Sequence, residues 1–277
     1  MSLRPVLYHI FPKPLPYLPA LALQEKIHSI QARSRTTSST GEKEATQSSL
    51  SGSKHPDILL LLEHRPVYTA GRRQDAVALD EERKRLVRSG AEWVATQRGG
   101  ETTYHGPGQI VGYPLFDLTR MGIRTREHVC RTQTLLKDYL RDRHNVPSFE
   151  STHTGVFVSE TEKVASIGMQ VRHGLTSHGF AINITDEPLR WFDQVVACGL
   201  ADVRAASAES ARAQFTGKRV PLNIREECEV LRDMFGEVYH MPVKSLDEAE
   251  VEIWQAVKEV EAVAEQAGEW PREPIQT

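Results

Sequence analysis

The sequence predicts an α+β fold, a single domain in which a β-sheet is flanked by helices. Apolar runs of strand length recur at residues 6–10, at 58–62 and on both sides of a glycine-rich stretch at 98–109. Three more strand patterns follow between residues 155 and 184, joined by turns so short that the strands must pair antiparallel. Amphipathic helical spacing at 125–143, and again towards the C-terminus, supplies covering layers. With 277 residues, 39% of them hydrophobic, the chain can bury a sizeable core as one domain.

Residues 6–10 form the first strand. Pro12, Pro14, Pro16 and Pro19 make an extended connection, and 21–31 is a helix with Leu23, Ile27 and Ile30 on one stripe. From about 33 to 56 the chain turns to Ser, Thr, Gly, Glu and Lys with a lone Leu50. That is too little apolar surface to offset the entropy of ordering, so a disordered surface insertion is expected. The run Ile58-Leu59-Leu60-Leu61-Leu62 is a buried strand, and Glu63 to Arg72 leaves it as a loop. Residues 80–89 are a polar helix carrying Arg83, Lys84, Arg85 and Arg88, beside Arg72 and Arg73. It is either a solvated face or a docking patch for an acidic partner, its attraction screened over roughly 10 Å at ordinary salt.

Strands at 92–96 and 110–116 bracket the glycine-rich loop. The helix at 125–143 has Thr125 as N-cap and Val129, Leu136 and Leu140 on its stripe, with Cys130 just off it. The antiparallel strands then run at 155–159, 163–172 and 177–184. Residues 202–218 are a helix or a loose surface excursion. A helical C-terminal extension spans about 223–266. Asn223 and Glu226 cap its first helix ahead of Cys228, Leu231 and Phe235. The last helix, from about 246 to 266, is expected to bury Val251, Trp254, Val257 and either Val260 or Val263. No internal repeat is present.

A formal charge of -3 gives no basic excess of the kind a nucleic-acid binder shows, and the longest apolar run has the length of a strand rather than a membrane span. Cys130, Cys198 and Cys228 are too few and too scattered for a disulfide framework or a zinc pair, which fits a reducing compartment. Neither a secretory apolar core nor a clear amphipathic presequence precedes Tyr8.

The loop Arg98-Gly99-Gly100-Glu101-Thr102-Thr103-Tyr104-His105-Gly106-Pro107-Gly108-Gln109 concentrates glycines, a proline and polar side chains in twelve residues. Glycine admits positive φ and lets a ligand approach the peptide groups, so the stretch reads either as a built site or as a glycine-rich hairpin connection. It lacks the Gly-Lys-Ser/Thr ending of a phosphate loop and the dinucleotide glycine spacing.

Two further residues are candidates for chemistry. Lys163 begins the face of its strand shared by Ala165, Ile167, Met169 and Val171. Such a lysine either reaches out to solvent or, if partly desolvated, exchanges protons near neutrality. Cys198, in Val195-Val196-Ala197-Cys198-Gly199-Leu200, is either a small core residue or a thiol presented on a turn for acyl transfer. His105 and His178 have no carboxylate or cysteine at metal-ligand spacing, and no metal is expected.

The Arg-Gly-Gly-x-x-Thr-Tyr-His-Gly-Pro-Gly-Gln loop resembles the signature of the lipoyl(octanoyl) transferases, relatives of the biotin and lipoate ligases. So do Lys163-Val164-Ala165-Ser166-Ile167-Gly168, His178-Gly179-Phe180-Ala181-Ile182-Asn183 and Ala197-Cys198-Gly199, in that order. The resemblance runs over about residues 6–199, excluding the insertion. Ala197 stands where proline is frequent in the family, and Thr102 where valine is common. It implies the mixed sheet of the biotinyl/lipoyl protein ligase catalytic fold and a cysteine–lysine acyltransferase with no cofactor. Cys198 would be the nucleophile and Lys163 the acid–base. Arg98, Gly99, Gly100, Glu101, Thr102, Thr103, Tyr104 and His105 would bind substrate together with Ser166, Ile167, Gly168, Gly179, Phe180 and Ala181.

The implied donor is octanoyl-acyl carrier protein. The implied acceptors are lipoyl domains of 2-oxoacid dehydrogenases and the glycine cleavage H protein, with no nucleic acid and no membrane. A monomer is expected, in the mitochondrion of a eukaryote and otherwise in the cytoplasm. An ATP-dependent lipoate–protein ligase of the same fold, which needs no nucleophilic cysteine, and a non-catalytic lipoyl-domain binder are the alternatives.

Overall fold

In the computed structural model, which describes residues 4–39, 55–72, 74, 79–195 and 202–276, β1 (Val6–Ile10) and β2 (Asp57–Leu62) run parallel, pairing Val6 with Asp57 through Ile10 with Leu61. Every residue of β2 is buried, as its unbroken apolar run requires. Alternation divides the strand: Ile58, Leu60 and Leu62 enter one core, Leu59 and Leu61 the other. On the first face lie α1 (Tyr17–Ser39) and α8 (Val251–Gln266), contributing Leu23, Ile27, Ile253 and Val257. On the second lie α4 (Thr125–His144) and α7 (Ile224–Tyr239), contributing Leu136, Leu140, Leu231 and Phe235.

From β2 the sheet continues through β6 (Gln109–Leu115) and β9 (Leu175–Asn183) to β8 (Glu162–Arg172), each antiparallel to the last. The short β10 (Arg204–Ala205) is parallel to β8, and β7 (Val156–Ser159) pairs with β8 as well. Beyond β1 the parallel β11 (Val243–Ser245) closes the other edge. Parallel and antiparallel neighbours together make the sheet mixed. A separate sheet holds β4 (Glu92–Ala95), β3 (Val67–Ala70) and β5 (Thr103–His105). It packs with α2 (Asp80–Arg88) and α5 (Leu189–Phe192) around Tyr68, Leu86, Tyr104 and Trp191. Two short helices, α3 (Leu118–Met121) and α6 (Ala208–Thr216), complete the described chain. None of the described helices is long and apolar enough to cross a membrane.

Several expectations need correction. Helix α1 does not stop near residue 31. It runs to Ser39, because its polar second half finds tertiary partners. Gln31 donates to the carbonyls of Pro56 and Leu115, Arg33 pairs with Glu252, and Arg35 pairs with Asp117. The expected insertion therefore begins later than residue 33, and its stretch 40–54 lies outside the described residues. The loop predicted from Glu63 to Arg72 contains β3, and the glycine-rich loop contains β5. That loop thus joins two different sheets instead of two strands of one.

The N-cap of α4 is Arg124, with no side-chain bond, rather than Thr125. Residues 202–218 resolve into β10 and α6, the latter closed by a Ser207/Ser210 capping box. The C-terminal segment is not purely helical, since β11 joins the sheet before α8 starts at Val251. Val251 and Val263 are exposed, and Ile253, Ala256, Val257, Val260 and Ala264 form the buried stripe instead.

Candidate active site

The polar loop, β5, β8 and β9 converge on a cavity of about 480 Å³. The loop contributes Arg98, Gly99, Gly100 and Glu101, and β5 contributes Thr103 and His105. Lys163, Ser166, Ile167, Gly168 and Met169 come from β8, and His178, Gly179, Phe180 and Ala181 from β9. Of the expected substrate-binding residues, Thr102 and Tyr104 do not line it. Period-two alternation along β5 turns Tyr104 to the other side, and Thr102, just ahead of the strand, follows it. Tyr104 is buried against Trp191, the rings 5.4 Å apart, and the Thr102 hydroxyl donates to Gln74 at 2.8 Å.

Arg98 is the staple of the loop. Its guanidinium is buried and donates to the Thr69 carbonyl (2.6 Å), the Thr69 hydroxyl (2.9 Å), the Glu101 carbonyl (2.8 Å) and the Gly99 carbonyl (3.0 Å). The loop is thereby tied to β3 and folded back on itself. The Gly99 N–H donates to the Met169 carbonyl at 3.2 Å, which lays the loop on β8. Glycine is required at two of these places. Gly100 has φ +88°, and a Cβ on Gly168 would stand 2.9 Å from the Gly99 carbonyl oxygen. The second half of the loop is anchored elsewhere, by the Gly108 N–H donating to the half-buried Glu63 carboxyl at 2.7 Å. Burial raises that carboxyl above the ordinary carboxylate range.

Three imidazoles at or behind the cavity wall, His64, His105 and His178, are held neutral by burial. Burial pushes His178 down to about 4, with Arg98 and Arg172 adding to the effect, and pushes His64 down to about 4. It holds His105 well below its usual value, with His64 and Arg98 contributing. A chain of amides fixes the tautomer of His105. Asn183 Nδ2 donates to the Ala206 carbonyl (2.9 Å), Gln109 Nε2 donates to Asn183 Oδ1 (2.8 Å), and Gln109 Oε1 is left to accept from His105 Nδ1–H (2.7 Å). Nε2 of His105 is therefore an acceptor. Similarly, His64 Nδ1 donates to the Leu15 carbonyl at 3.1 Å, so its Nε2 accepts from the Tyr113 hydroxyl at 2.7 Å. Burial also raises Tyr17 to about 12, keeping its phenol protonated. A pocket that sets Val111, Ile167, Phe180 and Ala181 beside His105, His178, two phenols and the polar loop suits an apolar chain with a polar head.

Lys163 stands at one edge. In the β7–β8 ladder Val156 pairs with Ala165 but Phe157 with Lys163, so Val164 is an extra residue on β8. That bulge breaks the expected alternation. Lys163 lines the main cavity and, with Gln109, Asn183 and Arg204, a smaller one beside it. Its Nζ lies 5.5 Å from the Phe157 ring centroid, and its carbonyl accepts from the Ala206 N–H at 2.9 Å. Cys198 lies outside the described residues. Cys130, just off the apolar stripe of α4, is exposed, while Cys228 is buried and its thiol is pushed up to about 12 by that burial.

Tyr17, Tyr113, Val129 and the stretch Thr152, His153, Thr154 line the cavity without having been singled out from the sequence. Tyr113 carried a signal in its place on a predicted strand flanking the loop. Tyr17 sits among prolines, and residues 152–154 have no periodicity, so neither offered one. Among the described residues no group of three His, Cys, Asp or Glu side chains is placed to hold a metal ion.

Residues 41–231 match the lipoyl protein ligase A/B catalytic domain. An octanoyltransferase of Caldicellulosiruptor saccharolyticus is 34% identical over 195 residues, covering 70% of this chain and 74% of that protein. The mitochondrial octanoyl-[acyl-carrier-protein]:protein N-octanoyltransferase LIPT2 of Danio rerio is 40% identical over 151 residues, covering 54% and 65%. In three dimensions a putative lipoate protein ligase from T. acidophilum with bound lipoic acid superposes with a TM-score of 0.55 at 16% identity, covering 94% of each chain, which is a likeness of fold.

Proposed function

The chain belongs to the lipoyl protein ligase A/B catalytic domain family, and on that premise we propose that it is an octanoyltransferase, moving an octanoyl group from acyl carrier protein to a lysine of an apo lipoyl domain. Its relatives are acyltransferases of that name. The observation that carries the reading is the cavity itself: an apolar stretch of Val111, Ile167, Phe180 and Ala181 beside polar loop residues, with Lys163 at the edge, where a buried acyl chain and an exposed thioester would meet.

In the proposed sequence the Cys198 thiol gives its proton to Lys163 and the thiolate attacks the donor thioester carbonyl. The tetrahedral adduct collapses, expelling the phosphopantetheine thiolate, which takes the proton back from Lys163. The acceptor lysine amine then attacks the Cys198 thioester, Lys163 removes its proton, and collapse leaves the amide and a free thiol. Thioester exchange is close to neutral in energy and amide formation runs downhill, so no ATP is consumed. What supports Cys198 is its sequence position, three residues after Val195 and seven before Ala205, the strand partner of Lys163. Arg98 shapes the loop rather than touching the acyl group, since its guanidinium donates to Thr69 and to the Gly99 and Glu101 carbonyls. Lipoyl domains of 2-oxoacid dehydrogenases and the glycine cleavage H protein are the proposed acceptors, the chain acting as a monomer and, in a eukaryote, in the mitochondrion.

Intact-protein mass spectrometry tests the reading. Octanoyl-acyl carrier protein without ATP should add one octanoyl mass, and Cys198→Ala should abolish it. Labelling that persists in the variant would sink the Cys198 assignment, and octanoylation of a lipoyl domain that requires octanoate and ATP would point to the ligase reaction instead.

A further inference from the structure

Arg124 and Arg126 flank Thr125, which lines the cavity at the first turn of α4. Both side chains are exposed, and neither guanidinium bonds to another described residue. The remaining lysines and arginines of α4 are all matched: Arg131 with Glu127, Lys137 with Glu150, Arg141 with Asp138 and Asp142, and Arg143 with Glu227. In the basic helix α2, a sequence candidate for docking, Arg83 and Lys84 are held by Asp80 and Glu81, and Arg85 donates to the Gln194 carbonyl. The two unmatched cations also occupy the end of a helix where the backbone dipole repels positive charge, and Arg124 is an N-cap with no capping side chain. The one acidic residue of that turn, Glu127, is paired with Arg131, so a local rule is broken beside a cavity-lining residue, the pattern expected of a functional surface.

We propose that Arg124 and Arg126 receive the phosphodiester of the carrier protein's prosthetic arm as it enters the cavity. The proposal rests on the octanoyltransferase reading. Guanidinium groups match phosphate oxygens in a two-pronged geometry. The acceptor brings a lysine ammonium, which the same pair repels, so the charge at this rim suits the donor.

The test uses the full chain and its Arg124→Ala/Arg126→Ala variant with three donors: octanoyl-acyl carrier protein, octanoyl-4′-phosphopantetheine, and octanoyl-pantetheine, which has the same thioester and no phosphate. The variant's kcat/KM should fall about ten-fold or more with the first two, the order expected for lost charge-assisted hydrogen bonds. Its dependence on ionic strength should weaken. Turnover of octanoyl-pantetheine should equal that of the parent, which also reports an intact fold. Equal losses on both small donors, or no loss on any, would overturn the assignment. A loss confined to the carrier protein would overturn it too, placing the arginines against the protein surface. A parent that transfers from none of the three donors would remove the octanoyltransferase premise, an outcome separate from any of these.

Discussion

Lys163 is held where two strands, a bulge and the cavity meet, and its side chain reaches towards the Phe157 ring. Arginine would keep that contact and the positive charge, since guanidinium stacks well on aromatic faces, but it cannot give and take protons at neutral pH. Lys163→Arg should therefore preserve the fold by circular dichroism while slowing both acylation of the enzyme and transfer to the lipoyl domain by about 10²–10⁴-fold. Near-normal single-turnover rates would remove Lys163 from the reaction. Individual site residues were legible unevenly. Lys163, Gly168 and Phe180 stand in short motifs, whereas Tyr17 reaches the cavity only because α1 folds across the sheet. Arg98 was visible as a site residue, but its role was not, because its bonds go to Thr69, 29 positions away in the chain.

Between α4 and α7, Glu227 is 1% exposed and accepts from the Tyr139 hydroxyl at 2.7 Å, with His144 and Arg143 each 3.3 Å from the carboxylate. Burial alone would raise this carboxyl, yet the bonds from His144, Tyr139 and Arg143 outweigh it and hold it at about 2. A carboxyl depressed from 4.5 contributes stability that is complete above about 4.5 and is lost as pH falls towards 2. Glu227→Gln should flatten that acid limb in urea-unfolding midpoints across the range, and Glu227→Ala should cost about 3–5 kcal/mol at neutral pH. An unchanged acid limb would show that the pair is not what fastens these helices. The helices themselves were readable from their stripes. Elements of two to four residues, β3, β5, β10 and β11, were not, because so short a run carries almost no period and forms only when a neighbouring strand completes its ladder. In α8 the small Ala256 and Ala264 turned inward and Val251 outward, a choice made by the space against α1 and the sheet rather than by side-chain hydrophobicity.

At the scale of the whole molecule, the two segments that the sequence sets apart differ in what they hold. The C-terminal one completes the structure: β11 pairs with β1, and Leu246, Ile253, Val257 and Val260 are buried in the core beneath α1. Burying each such side chain contributes about 1.5–3 kcal/mol. Together they are comparable with the total stability of a domain, about 5–15 kcal/mol. We therefore propose that the chain is a single cooperative unit including this extension, and that truncation after residue 242 abolishes the thermal unfolding transition along with activity. Residues 40–54, read from the sequence as part of a surface insertion, are expected to tolerate replacement. Because α1 is tied down as far as Arg35 by Asp117, replacement should begin at residue 40, with a short glycine–serine linker in place of 40–54. Halving a loop changes its closure entropy by only about 0.6 kcal/mol, which for a domain of this size moves Tm by under about 4 °C. Turnover should stay within about two-fold of the parent. A collapse of Tm or activity in the linker variant would show that this segment shapes the site, and a truncated chain that still unfolds cooperatively would show that the C-terminal helix is an accessory to the fold.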